Sequence, residues 1–117
     1  MSYDLKVAVK VEGCGEYADI AEPEYANPTY NLRDMFVACM NWDYKQGEYY
    51  RCDKVISKIE HGIKELRENR GAYEKYIPDG LLLGDQISDA VDALESLKVC
   101  ICDQAEEIPL KCLYMRW

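Results

Sequence analysis

GEYYRCDKVISKIEHGIKELREN, residues 47–69, carries the clearest periodicity in the chain. Cys52, Ile56, Ile59, Ile63 and Leu66 recur at alternating spacings of four and three, which puts them on one stripe of an α-helix. Arg70 fills the next slot and Tyr73 resumes the series. The spacing predicts a long helix opening at about Glu48 and running to about residue 69. Gly71 leaves its continuation through Tyr76 open, and Pro78–Gly80 ends it. The preceding glycine, Gly47, reads as the stop of an earlier helix. That earlier helix begins after Asn31, an N-cap with Asp34 three residues on as a weak capping box. Leu32, Met35, Phe36, Cys39 and Met40 then follow at helical spacing to about Lys45.

Moving outward, residues 3–11 alternate, with Leu5, Val7, Val9 and Val11 against Lys6, Ala8 and Lys10. This is the pattern of a half-buried strand, closed by the Gly13–Gly15 turn. Beyond the periodic centre, Asp85 to about Glu107 forms a third helix. Ile87, Ala90, Val91, Leu94, Leu97, Ile101, Ala105 and Ile108 fall on one face. Asp85, Asp89, Asp92, Asp103, Glu106 and Glu107 fall on the other. Pro109 ends the helix, and Leu110–Met115 alternates as a closing strand. Between the helices, DGLLLGD (79–85) lacks the alternating ligands of a calcium loop and reads as a turn with an apolar plug. The expected fold is a single α+β domain over residues 1–117. Its two terminal strands share a small sheet, packed against a helical hairpin and a third amphipathic helix.

The chain has 117 residues, with 14 basic and 22 acidic side chains and a net charge of −8. That balance argues against nucleic acid and anionic membranes as partners and permits a basic protein. The acids are concentrated in residues 1–50 and 84–117, whereas 51–83 is nearly balanced. An acidic helix face, with neighbours ~6 Å apart, can imitate a row of phosphates to a basic groove. No run is long and apolar enough for a membrane span, and no secretory leader is read at the N-terminus, so a cytosolic protein is expected.

Few motifs carry chemistry. His61, the single histidine, lies off the Ile59/Ile63 face and is expected to meet solvent. The six cysteines (14, 39, 52, 100, 102 and 112) are read as reduced, small, buried apolar residues. Cys100 and Cys102 point about 160° apart on a helix and do not form a metal pair. Gly13-Cys14-Gly15 lacks the further glycine and Lys-Ser/Thr of a phosphate loop. No catalytic residue, metal or cofactor is assigned, and the chain is read as non-enzymatic.

One acidic segment stands out. GEYADIAEPEYANPTYN (15–31) has four acids, three tyrosines and two prolines, with no Lys or Arg. Prolines are expected to keep it irregular but restrained, and tyrosines lose little conformational entropy on contact. Tyr17, Glu22, Glu24 and Tyr25 are therefore candidates for a partner surface, joined by Asp85, Asp89 and Asp92 on the third helix. Tyr30, which abuts the first helix, is assigned to packing. An alternative from a different class is a small-molecule site for a nucleotide signal, lined by Tyr30, Arg33, Trp42, Tyr49 and Arg51. A third reading, an accessory subunit of replication or transfer machinery, would show a large apolar self-contact. A homo-oligomer stays open.

Two resemblances bear on these readings. YKQGEYYRCDKVISKI (44–59) resembles a tetratricopeptide helix junction, but no second copy follows at the 34-residue period, so it implies only an antiparallel helix pair. MSYDLKVAVKVEGCGEYADIAEPEYANPTYNLRDMFVACMNWDYKQGEYY (1–50) and EEIPLKCLYMRW (106–117) resemble small acidic proteins encoded on prophages and conjugative elements of gut Firmicutes. The resemblance covers most of the chain. It implies a mobile-element protein that acts by binding in the bacterial cytoplasm, including inhibition of host defence proteins such as CRISPR nucleases. It supplies no catalytic residues to carry over.

Overall fold

A computed structural model describes residues 2–77 and 85–117. The expected apolar plug within 79–85, and the Pro78–Gly80 stop, lie outside the described residues apart from Asp85. The element order is β1 (Lys6–Lys10), β2 (Tyr17–Ala21), α1 (Arg33–Met40), β3 (Tyr49–Arg51), α2 (Cys52–Glu68), α3 (Gln86–Ala105) and β4 (Leu113–Arg116), with short 3-10 turns at Tyr30–Leu32, Arg70–Tyr76 and Leu110–Cys112. The fold is α+β. The two terminal strands do pair, Val7 lying opposite Met115 and Lys6 opposite Arg116. They form the centre of a four-stranded antiparallel sheet ordered β2-β1-β4-β3.

Both outer strands arise where the sequence reading expected something else. β2 lies in the acidic segment, in YADIA ahead of both prolines, which leaves those residues free to pair. A turn through Gly13 and Gly15, at φ +87° and +70°, returns the chain so that Lys10 meets Tyr17. β3 takes Tyr49–Arg51 from the expected start of the long helix, so α2 opens at Cys52 rather than Glu48. The aromatic pair in YYR suits a strand once β4 supplies a ladder partner. The junction is thus strand-to-helix, unlike the tetratricopeptide hairpin it resembles in sequence.

α1 is also shorter than its periodicity suggests. It ends at Met40 because Asn41 adopts the left-handed conformation (φ 50°, ψ 49°). The amides of Asn41 and Trp42 bond the carbonyls of Ala38 and Val37 at 3.3 and 3.1 Å. Asparagine at this place is a helix stop in its own right. Gly47, at φ +84°, instead makes the turn into β3, its amide bonding the Trp117 carbonyl at 3.1 Å. At the other end, Thr29 rather than Asn31 is the cap: its hydroxyl accepts from the Asn31 amide and starts the 3-10 turn before α1. The closing strand likewise starts late, at Leu113, after the 3-10 turn.

The helices cover one face of the sheet. Leu5, Val7, Leu113 and Met115 are fully buried against Phe36, Cys52, Ile59, Leu94 and Ile101. Burial along β1 fades toward its hairpin: Val9 is half-buried and Val11 is 42 % exposed, contrary to a uniform apolar side. The three helices meet at Gly62. A methyl added there would lie 2.7 Å from Met40 Cγ, 3.1 Å from Leu94 Cδ1 and 3.2 Å from Cys39 Sγ, so only glycine admits this approach.

The buried end of the sheet is aromatic. Trp117 stacks on Tyr44, with ring centres 4.2 Å apart, and lies within 6.1 Å of Tyr3, Phe36 and Trp42. The hydroxyls of Tyr3 and Tyr44 bond each other at 2.8 Å, and the Arg33 guanidinium lies 4.8 Å over the Tyr44 ring. Burial, then the Tyr3 hydroxyl, drives the Tyr44 phenol pKa upward.

Candidate partner-binding surfaces

The acidic segment is fastened along both sides. Tyr3 and Leu5 amides bond the carbonyls of Pro28 and Ala26, each at 2.8 Å, and the Asn27 side chain donates to the Tyr3 carbonyl. Across the segment, the Tyr25 amide donates to Ser96 Oγ on α3 at 2.7 Å. Glu24, Tyr25, Ala26 and Asn27 therefore face Asp92 and Ser96 across a groove of about 560 Å³. Burial first, and then the charges of Asp89 and Asp92, raise the Tyr25 pKa. The half-buried ring thus sits in the field of two helix carboxylates, with Glu24 exposed beside it. None of Glu24, Asp89 or Asp92 forms an ion pair among the described residues.

The other three candidates for this surface go elsewhere. Glu22 is bonded to Lys6 Nζ at 2.5 Å. Asp85 caps α3, its carboxylate accepting from the amides of Ile87 and Ser88 at 3.1 Å, and is bonded by Arg70. Arg70 foremost, then the cap bonds, lower the Asp85 pKa to about 2. Tyr17 lies on the outer face of the sheet, stacked on Tyr49 at 4.2 Å and edge-on to Tyr114 at 4.9 Å.

That outer face was not anticipated as a unit. Alternation places Lys6, Ala8, Tyr17, Asp19, Tyr49, Arg51, Tyr114 and Arg116 on it. Tyr49 donates to Asp19 at 2.9 Å, and Arg116 sits 5.5 Å over the Tyr49 ring. Arg51 holds Asp53 through two bonds, and Arg116 neighbours Asp4 and Asp19 at 3.6 and 3.7 Å. Ala8, between Asp19 and Tyr114 in the ladder, is fully buried on this face. A strand-period reading of YYR and YADIA would have found this face.

The five residues of the small-molecule alternative do not converge. Tyr49 and Arg51 belong to the outer sheet face, while Trp42 packs on Tyr44, Tyr50 and Trp117 within the aromatic cluster. Tyr30 and Arg33 alone share a groove, at the start of α1. Tyr30 also packs edge-on against Tyr3 at 4.7 Å.

His61 is exposed, 3.7 Å from Glu65. All six cysteines are free thiols. Cys39, Cys52 and Cys100 are buried, and burial pushes Cys39 and Cys52 up to about 12. Cys14, Cys102 and Cys112 are exposed, which corrects the reading of all six as buried. Cys14 lies in the hairpin turn, Cys102 on the outer side of α3, and Cys112 in the 3-10 turn before β4. Among the described residues, no helix is long and apolar enough to cross a membrane. Comparison with protein-family models, curated proteins and solved structures gives no match for this chain.

Proposed function

We propose that the protein is a non-enzymatic acidic binding protein of a phage or mobile element that occludes a basic surface of a host protein in the bacterial cytoplasm. An anti-defence inhibitor, such as an anti-CRISPR protein, is the form of this reading that the sequence resemblance favours. The observation that supports it is the convergence of Glu24, Tyr25 and Asp92 from two separate elements around one groove, with the Asp89 charge acting on the same ring. A restrained ring beside unpaired carboxylates suits a Lys or Arg side chain, through ring-face and ionic attraction together. Glu22 and Asp85 support the reading less, since each is engaged within the fold.

The test begins with capture of a partner from host lysate and its purification. Affinity of the purified partner is then compared between the native protein and Glu24→Ala/Tyr25→Ala/Asp92→Lys. At least a tenfold loss at an unchanged melting temperature, with a shallower salt dependence, is the expected result. Retained affinity in the folded variant removes this groove from the interface.

A further inference from the structure

The groove at the start of α1 has the opposite character. Tyr30, Asn31, Arg33 and Asp34 form one wall, and Lys75, Tyr76 and Ile77, at the end of the 3-10 turn after α2, form the other. Its volume is about 520 Å³, the size of a small-ligand site. Two cations face it in a chain of net charge −8. Lys75 lies 5.3 Å from the centre of the Tyr76 ring and makes no ion pair among the described residues. Arg33 uses Nη2 to hold Asp43 and the Tyr44 carbonyl, at 3.0 and 3.1 Å. The guanidinium is also bonded to the Tyr3 hydroxyl.

Arg33 is thereby fixed in place, and its side chain lines the groove. Gln46 similarly bonds the Tyr30 hydroxyl and fixes that ring. The groove therefore offers two cations, two tyrosine rings and one carboxylate, Asp34. Guanidinium and ammonium groups meet a phosphate, and the rings supply surface for a flat base. Asp34 can accept from ribose hydroxyls, and its charge disfavours a polyphosphate chain. The acidic surround also disfavours a long nucleic-acid strand.

We infer that this groove binds a free nucleoside monophosphate, held by Arg33 and Lys75 through its phosphate and by Tyr30 and Tyr76 through its base. The site shares no residue with the acidic groove, so it stands or falls independently of the proposed protein partner. Neither Arg51 nor Tyr49 takes part, and Lys75 and Tyr76 replace them.

Calorimetric titration of the intact protein with each of the four ribonucleoside 5′-monophosphates, with inorganic phosphate and with the four nucleosides tests the inference. At least one monophosphate should bind about tenfold more tightly than either of its pieces. Lys75→Ala, at an exposed position, should weaken that binding about tenfold with the melting temperature unchanged. Tyr76→Phe should keep the binding, since the ring face is retained. Absence of saturable binding by all four at millimolar concentration overturns the inference. So does equal affinity for inorganic phosphate, or binding that survives Lys75→Glu.

Discussion

Two tyrosine-rich faces lie back to back on one sheet, and the same residue type serves opposite ends on them. Behind the sheet, Tyr3 and Tyr44 are sealed with Phe36 and Trp117, and their two hydroxyls satisfy each other. In front, Tyr17, Tyr49 and Tyr114 keep partial exposure, and the Tyr49 hydroxyl is engaged by the charged Asp19 and Arg116. Burial of an aromatic ring contributes more than a half-exposed stack, and a sealed hydroxyl costs free energy unless paired. The inner cluster should therefore bear stability, while the outer face should bear little of it and stay available for contact.

The largest difference is expected from truncating one ring on each side. Trp117→Ala should lower unfolding free energy by about 3–5 kcal/mol, whereas Tyr49→Ala should lower it by about 1 kcal/mol. Urea unfolding of the two variants measures both. Equal losses would erase the distinction between the faces.

Removing a single hydroxyl sharpens the comparison without changing shape. Tyr3→Phe leaves Tyr44 with its buried partner gone and should cost about 1–2 kcal/mol, while Tyr3→Phe/Tyr44→Phe should recover part of the loss. Tyr17→Phe on the outer face should cost almost nothing. A double variant less stable than the sum of the single variants would show that the two hydroxyls are not a closed pair.

A smaller effect is expected at the helical junction behind the inner face. Gly62→Ala gains about 1 kcal/mol of helix propensity but drives a methyl into Met40 and Leu94. A net loss of about 1 kcal/mol is expected, and a gain would show that α1 can slide away.

The acid-side test is smaller still. The carboxyl of Asp85 is held at about 2, below its ordinary 3.8. Its contribution is complete above pH 4 and is lost as pH falls toward 2. The group is nearly half exposed, so solvent screening keeps that contribution small. Asp85→Asn keeps an N-cap but removes the charge, and should flatten stability between pH 4 and 2 relative to the native protein. An unchanged slope would mean that Arg70 does not hold the carboxylate in solution.

Legibility followed the range of the interactions. The long helix was readable because its stripe of Ile59, Ile63 and Leu66 repeats locally, whereas Asp85, read as an acid of the helix face, turned out to be the cap of α3. β3 was swallowed by the same periodicity, since Tyr49–Arg51 becomes a strand only when β4 arrives beside it. Asn41 was not weighed as a stop, because the stop was assigned to the more familiar glycine at 47. Of the candidate surface, Glu24, Tyr25 and Asp92 line one groove, with Asp89 near enough for its charge to act on Tyr25; their meeting depends on Ser96 fixing the Tyr25 backbone, which no local pattern announces. Lys75 and Tyr76 were missed because a 3-10 turn carries no amphipathic period to draw attention to them.

The pairing of β1 with β4 has a kinetic consequence. Lys6 and Arg116 lie near opposite ends of the described chain, yet they are neighbours at the centre of the sheet. Closing so long a loop requires an entropy loss before any ladder bond rewards it. Until then β1 has only β2 beside it, a two-stranded ribbon that is marginal alone, and β3 has no strand partner. Helices α2 and α3 bury their shared apolar faces through nearer contacts and can collapse first. The sheet should then form late and nearly all at once, so that β4 acts as the latch of the refolding reaction.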